Sequence, residues 1–101
     1  MPADPNDLAH AIAHRLHIRF VYDGQPRVVQ PATLGDHMMT GTLSLRGYQT
    51  GGRSNSRTPP FWTMFSVEKI VDLDITDDTF ADDPPDYANG DRHISTVIAQ
   101  L

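Results

Sequence analysis

Short segments of alternating apolar and polar residues, each followed by a turn signal, are the feature that most limits how this chain can fold. Such alternation turns one side of a strand toward a core, and tight connections favour antiparallel neighbours. No helical segment separates the strands, which disfavours a parallel α/β fold. The pattern predicts a small, strongly bent antiparallel sheet or barrel. The five predicted strands cover residues 17–22, 27–39 (disturbed at Pro31), 41–50, 61–67 and 70–75.

One helix is predicted before the strands. Leu8, Ile12 and Leu16 recur every four residues, which predicts a helix over about residues 6–16 that packs on the sheet. The chain has 101 residues, a length that suits a single domain over residues 1–101. Within it, the barrel is predicted over about 17–76 and a tail over 77–101.

The end of the tail is predicted to be a short amphipathic helix. Four apolar residues there have helical spacing, and Asp91 is in position to cap them. They are Ile94, Val97, Ile98 and Leu101. A short edge strand is the alternative, because Ile and Val also favour strands.

Charge is distributed unevenly along the chain. The formal net charge is −5, but residues 1–69 carry a net +2 and residues 70–101 a net −7. Seven of the eight basic residues are Arg, whose planar fork suits phosphate and carboxylate groups. The acidic segment between Asp77 and Asp86 is a candidate internal polyanion, lying over the basic surface until a ligand displaces it. Only Phe80 and Tyr87 are available to anchor it.

Signatures of catalysis and metal binding are missing, so no enzyme, cofactor or metal site is predicted. There is no nucleophile elbow, phosphate loop or dinucleotide fingerprint, and no Cys. His10 and His14 have the spacing of a zinc-binding helix but lack the Glu that such helices carry between them. Their spacing does not settle whether they meet His17. With no apolar run long enough for a membrane and no signal peptide, a cytoplasmic protein is predicted.

The binding chemistry of the sequence lies in its arginines and aromatic residues. On the third predicted strand, Arg46 and Tyr48 share the face opposite Leu45. The loop that follows carries Arg53 and Arg57 among Gly, Ser and Asn, a composition that suits anions but is also ordinary in hairpin loops. Sites for single-stranded nucleic acid combine Arg for phosphates with aromatic rings for bases. The competing interpretation is that Tyr48 is a core or edge residue with a solvated hydroxyl.

Several short motifs occur in a fixed order between about Leu8 and Phe80. They are Ala11-Ile12-Ala13, a strand ending in Tyr22, Arg27-Val28-Val29-Gln30-Pro31, Leu43-Ser44-Leu45-Arg46-Gly47-Tyr48 and Phe65-Ser66-Val67-Glu68-Lys69-Ile70. In this order they resemble the WYL domain, a small Sm-like or SH3-like β-barrel of bacterial transcription regulators. The chain departs from the family where Leu43-Ser44-Leu45 stands for Trp-Tyr-Leu, and where Ser66 and Lys69 stand for arginines.

The resemblance implies a mostly β fold in which the N-terminal helix packs on a five-stranded antiparallel Sm/SH3-like barrel. It also implies ligand sensing without catalysis, through a basic groove, on behalf of a winged-helix domain that 101 residues are not expected to include. The prediction is a non-enzymatic module for single-stranded nucleic acid or a nucleotide-like anion. The alternative is a protein–protein interaction or oligomerisation module that partners a separate transcription regulator. The predicted binding residues are Arg27, Arg46 and Lys69 for phosphates, Tyr48 for stacking, and Arg53 and Arg57 to close over the ligand.

Overall fold

A computed structural model describes residues 3–55, 57–87 and 93–101 of the chain. This part of the chain contains one N-terminal helix, one 3-10 turn and six strands that pair antiparallel. The predicted mostly β, antiparallel fold with a helix at its start is therefore confirmed. The elements are α1 (Pro5–Ala13), β1 (Leu16–Tyr22), β2 (Gln25–His37), β3 (Leu43–Gly52), β4 (Phe61–Ser66), the 3-10 turn (Val67–Lys69), β5 (Val71–Thr79) and β6 (Ile94–Gln100).

Helix α1 ends three residues before its predicted limit. The Asp4 carboxylate accepts a hydrogen bond from the Asn6 amide at 2.8 Å, and Pro5 follows the cap as the first helical residue. After the helix, Arg15 adopts a φ of 53°, in the left-handed region, which stops the helical path. Leu16 has helical spacing in the sequence, but it begins β1 and packs against the core from there.

Strand β2 is the centre of the sheet because it pairs with three other strands. Its first half pairs with β1 and its second half with β6 along the same edge, while β3 pairs along the opposite edge. The predicted disturbance at Pro31 is a bulge within a continuous strand, since the register with β3 shifts between Pro31 and Thr33. The strand order is β4-β3-β2-β1-β5, with β6 beside β2. Because β4 and β5 do not pair with each other in the described part of the chain, the sheet is open.

The C-terminal segment is a strand, so the predicted amphipathic helix is wrong and the alternative of a strand is confirmed. Strand β1 pairs with β2 only as far as Val29, which leaves residues 33–37 of β2 with an unpaired edge. β6 fills this edge, and its β-branched residues suit the extended conformation. The helical spacing in the sequence therefore does not describe one buried face, since Ile94 is buried while Ile98 is exposed. The predicted cap, Asp91, lies outside the described residues.

The core lies between α1 and one face of the sheet, called here the inner face. Leu8 and Ile12 of the helix are buried there, as are apolar residues of β1 to β4. Phe65 is central: its ring meets the rings of Phe20 and Tyr22 edge-on, each with centroids 4.9 Å apart. Strand β5 alternates as predicted, with Val71, Leu73 and Ile75 half-buried between exposed aspartates.

The described part of the chain contains no helix with the length and hydropathy that a membrane span requires.

Candidate functional site

The predicted binding residues fall into three places. Arg27, Arg53 and Arg57 lie near the β1–β2 turn and the β3–β4 loop, at one end of the sheet. Arg46 and Tyr48 lie on the outer face, opposite the core. Lys69 lies in the 3-10 turn at the far end of β4. The structure therefore assembles three of the predicted residues and separates the others from them.

Arg27 is buried, with 6% of its surface exposed, and its predicted role in holding phosphate stays a prediction. Its guanidinium donates hydrogen bonds to the Gln49 side-chain oxygen at 3.2 Å and the Tyr22 carbonyl at 3.1 Å. It also lies 5.5 Å from the centroid of the Tyr22 ring and 5.8 Å from that of Phe65, within cation–π range. A sequence pattern could not reveal this burial, because arginines are rarely found in cores.

The β3–β4 loop is fastened to the β1–β2 turn. The Arg53 amide donates to the Pro26 carbonyl at 2.7 Å, and the Asn55 side chain accepts a hydrogen bond from Gln25 at 3.0 Å. Gly52 has a φ of 80° and approaches the backbone at Pro26, where a larger residue would be strained. The loop therefore starts from a fixed position, which the sequence interpretation as a flexible loop did not anticipate.

A buried amide connects Arg27 to this loop. Gln49 is fully buried, and its side-chain nitrogen donates to the carbonyls of Gly51 and Arg53, both at 3.0 Å. Its side-chain oxygen accepts from Arg27. One side chain thus holds the buried cation on one side and the start of the β3–β4 loop on the other.

Arg57 is held against an aromatic ring. Its guanidinium lies 4.1 Å from the centroid of Phe61 and donates to the Trp62 carbonyl at 3.1 Å. The side chain is nevertheless exposed. With Arg53 it lines a shallow, open depression of about 360 Å³, together with Gln25, Gly52, Ser54 and Thr58. This depression is called the arginine depression below.

The carboxylates of the acidic half pair with other bases. In the described residues the ion pairs are Arg15 with Asp83, Arg19 with Asp74, and His17 with Asp78 when the histidine is protonated. All three bases lie in β1 or just before it. No carboxylate among the described residues forms an ion pair with the three arginines at the depression, Arg27, Arg53 and Arg57. That end of the sheet therefore carries three arginines that form no ion pair in the described chain, with Asp23 of the β1–β2 turn as the carboxylate nearby in the fold.

The outer face carries an aromatic pair. Tyr48 of β3 is directly opposite Trp62 of β4, and their ring centroids are 5.4 Å apart. Arg46, also on this face, is half-buried and pairs in register with Thr33 and Met64. The sequence prediction omitted Trp62 from the site. The alternation of β4 placed it opposite Phe65, which was enough to find it.

Residues 80–87, called the strap below, lie across the outer face. Phe80 is buried, and Asp83 pairs with Arg15 at one end of the strap. The Trp62 indole N–H donates to the Pro85 carbonyl at 2.7 Å. The Tyr87 ring stacks on Trp62 with centroids 6.4 Å apart and planes 27° from parallel. Phe80 and Tyr87 anchor the segment as predicted, while its carboxylates contact neither Arg53 nor Arg57.

Tyr87 of the strap has a raised pKa. Burial raises the pKa of its hydroxyl above the usual 10.0, and this outweighs a hydrogen bond with Thr33 that lowers the pKa. The hydroxyl also donates to the Leu101 carbonyl at 3.2 Å, which joins the strap to the end of β6.

Lys69 and the histidines lie away from the arginine depression. Strand β4, six residues long, separates Arg57 from Lys69, a span of about 20 Å at the rise of an extended chain. The rings of His10 and His14 lie at the end of α1 with centroids 4.3 Å apart and planes tilted by 42°, whereas His17 hydrogen-bonds Gln30 at 3.1 Å instead of joining them. The described residues contain no group of three or more side chains placed to hold a metal ion.

No protein-family model, no curated protein and no solved structure matches this chain. The resemblance to the WYL domain therefore stays a prediction, and the basis for a function is the site itself.

High pH is expected to loosen the strap. Because the pKa of Tyr87 is higher in the folded than in the unfolded state, its contribution to stability is fully present below the unfolded value of 10.0. That contribution is lost as the pH rises through the folded pKa. We expect the free energy of unfolding to fall between about pH 9 and about pH 11 more steeply in the wild type than in Tyr87→Phe, which cannot ionise. Urea titrations followed by Trp62 emission measure this, and identical pH dependence of the two proteins would contradict it.

Proposed function

We propose that the protein is a non-enzymatic binding module that recognises single-stranded nucleic acid or a nucleotide-like anion, with a phosphate group in the arginine depression. The observation that carries this proposal is the set of three guanidinium groups without a carboxylate partner in the described chain, two of them at the surface. Unneutralised guanidinium groups attract phosphate and hold it through paired N–H donors. In a protein of net charge −5, such a local field selects where a polyanion can approach.

Each of the three arginines supports the proposal differently. Arg57 is oriented by Phe61 and the Trp62 carbonyl, so little side-chain freedom is lost when it takes an anion. The Arg53 side chain extends from a backbone position that is fixed, because the Arg53 amide donates to the Pro26 carbonyl. Arg27 lies beneath the surface and contributes charge rather than contact, because its two terminal nitrogens donate to Gln49 and Tyr22.

The proposal leaves out two of the predicted contacts. Tyr48 packs against Trp62 on the outer face, which the strap covers, so base stacking on Tyr48 is not part of it. Lys69 is too far along β4 to share a phosphate with Arg57. What remains is recognition of phosphate, which nucleotides and nucleic-acid backbones share.

We infer further that the chain is a divergent WYL-like domain of the Sm-like or SH3-like barrel type. The order of its short motifs supports this, and so does the strand path: β1 to β4 follow one another and β5 returns to β1. A barrel of this type would require β4 and β5 to approach each other. A cytoplasmic location, where nucleotides and nucleic acid are abundant, belongs to the same proposal.

Loss of either surface arginine is expected to weaken binding of a labelled oligothymidylate of about ten nucleotides roughly tenfold, because each supplies a charge-assisted contact. Fluorescence anisotropy measures the affinity of Arg53→Ala and Arg57→Ala at several salt concentrations. Two phosphate contacts predict a slope of log K against log salt of about −1.4, falling to about −0.7 in either variant. Competition with a nucleoside triphosphate shows whether the site prefers a free nucleotide or single-stranded nucleic acid.

Arg19→Ala is the matched control, since Arg19 is an exposed arginine already paired with Asp74. Its affinity is expected to equal that of the wild type. Unchanged binding by Arg57→Ala, or wild-type binding that does not depend on salt, contradicts the proposed site.

A second function, self-association or docking on a separate regulator, is favoured by the edge of β6. In the described chain β6 pairs only with β2, and its residues Val97 and Ile98 are 40% and 54% exposed. The strand carries no charge or proline, the features that usually protect an exposed edge from pairing with another chain. A second copy could extend the sheet there without bringing like charges together.

Light scattering after size-exclusion chromatography tests this second function. If β6 pairs between copies, the wild type forms a dimer and Ile98→Lys is monomeric, because a lysine on the edge opposes pairing. Met39→Lys is the control, since Met39 is more exposed than Ile98 but lies outside the strands. A monomeric wild type at high protein concentration contradicts self-association.

A further inference from the structure

The strap is held to the outer face mainly by side chains. In the described residues, the Phe80 amide donates to the Arg15 carbonyl at 2.9 Å, and the Tyr87 amide donates back to the Pro84 carbonyl within the strap. The strap belongs to no strand of the sheet. A segment that forms no ladder and keeps most of its residues exposed opens more easily than a core strand. The outer face can therefore be vacated while the sheet stays folded.

The contacts under the strap are those of a site for a proline-containing turn. Residues 84–87 form this turn, in which the Tyr87 amide donates to the Pro84 carbonyl at 3.1 Å and Asp86 adopts a φ of 62°. The Trp62 indole donates to the carbonyl of Pro85, and the Trp62 ring in turn packs beside that of Tyr48. Pro84, directly before Pro85, is buried. Because proline fixes its φ in advance at the second position of a turn, a segment with Pro85 at that position loses little entropy when it docks.

Two further contacts add specificity at the ends of this site. Arg15 receives the Asp83 carboxylate before the prolines, and the Tyr87 ring stacks on Trp62 after them. Together with the hydrogen bond to Pro85, these contacts favour a segment that has a carboxylate, two prolines and an aromatic ring in that order. The acidic charge of the strap thus complements Arg15, a base outside the arginine depression.

We propose that the outer face is a recognition site for an acidic, proline-containing segment of another protein, and that the strap is its intramolecular occupant. The partner segment carries an aspartate or glutamate before a proline pair and an aromatic residue after it. It competes with the strap, whose tether gives it a high effective concentration. The partner segment therefore binds only when its affinity for the site is high enough to displace the tethered strap, or when the contacts of the strap are weakened. This site shares no contact residue with the arginine depression except Trp62, whose carbonyl serves Arg57 and whose indole serves the strap.

The single tryptophan of the chain, Trp62, reports directly on this site. The probe is a synthetic peptide with the sequence of residues 80–87, added to the full chain while Trp62 emission is followed. Tyr87→Ala removes the stacked ring of the strap, so we expect this variant to bind the peptide about tenfold more tightly than the wild type. Asp83→Asn, which removes the ion pair with Arg15, is expected to gain about threefold. Asp82→Asn is the matched control, because Asp82 is exposed and has no such pair in the described chain, and it is expected to behave as the wild type.

A peptide without the two prolines provides a further test of the site. A peptide with alanines in place of both prolines is expected to bind at least about tenfold more weakly, since its turn is less populated before it binds. Far-UV circular dichroism establishes whether each variant is folded. If Tyr87→Ala does not fold, the affinity of Asp83→Asn for the peptide tests the proposal. Absence of peptide binding to the folded variants overturns the proposal, as does equal binding of the alanine peptide. Peptide binding that Arg57→Ala leaves unchanged supports a site separate from the anion site.

Discussion

Burying the Arg27 guanidinium among neutral partners is unfavourable unless every contact around it is made. The structure surrounds it with the Tyr22 carbonyl, the Gln49 oxygen and the faces of two aromatic rings. These partners come from β1, β3 and β4, so the contacts form only when the strands are in register. The buried Nε atom of Arg27 has no hydrogen-bond partner in the described chain. Gln49 extends the same dependence to the β3–β4 loop, because its amide holds the Arg53 carbonyl. The backbone at Arg53 is thus linked through Gln49 to a charge inside the core, whereas Arg57 is held by Phe61 and the Trp62 carbonyl.

Charge separation within the sheet follows from where the acidic half of the chain pairs. β5 and the strap bring their aspartates to Arg15, His17 and Arg19, on the β1 side. Arg53 and Arg57, at the other side of the sheet, form no ion pair with an aspartate in the described chain. In a chain of net charge −5, the acidic segment thus contacts the outer face, and its carboxylates form no ion pair with Arg53 or Arg57 among the described residues.

The strands and the first helix could be predicted because alternation and helical spacing are local properties of the sequence. The fate of the C-terminal segment could not, because whether Ile94 and Val97 form a helix or a strand depends on the unpaired edge of β2, far away in sequence. The same holds for Arg27, whose burial depends on Gln49 and Phe65 from other strands. Arg53 and Arg57 could be proposed from the composition of their loop, and the structure places both at one depression. Trp62 was available from the alternation of β4, but its role appears only when Tyr48 and the strap are placed beside it.

Amide and guanidinium NMR spectra recorded during titration with a nucleotide test the central claim most directly. The account predicts that signals of Arg53, Ser54 and Arg57 shift with a common binding constant that weakens as salt increases, while those of Lys69 and the strap do not move. It also predicts that the Arg27 guanidinium signals shift little, because its donors stay directed to Gln49 and Tyr22. Shifts centred on Lys69 or on the outer face, with none at the arginine depression, would contradict it.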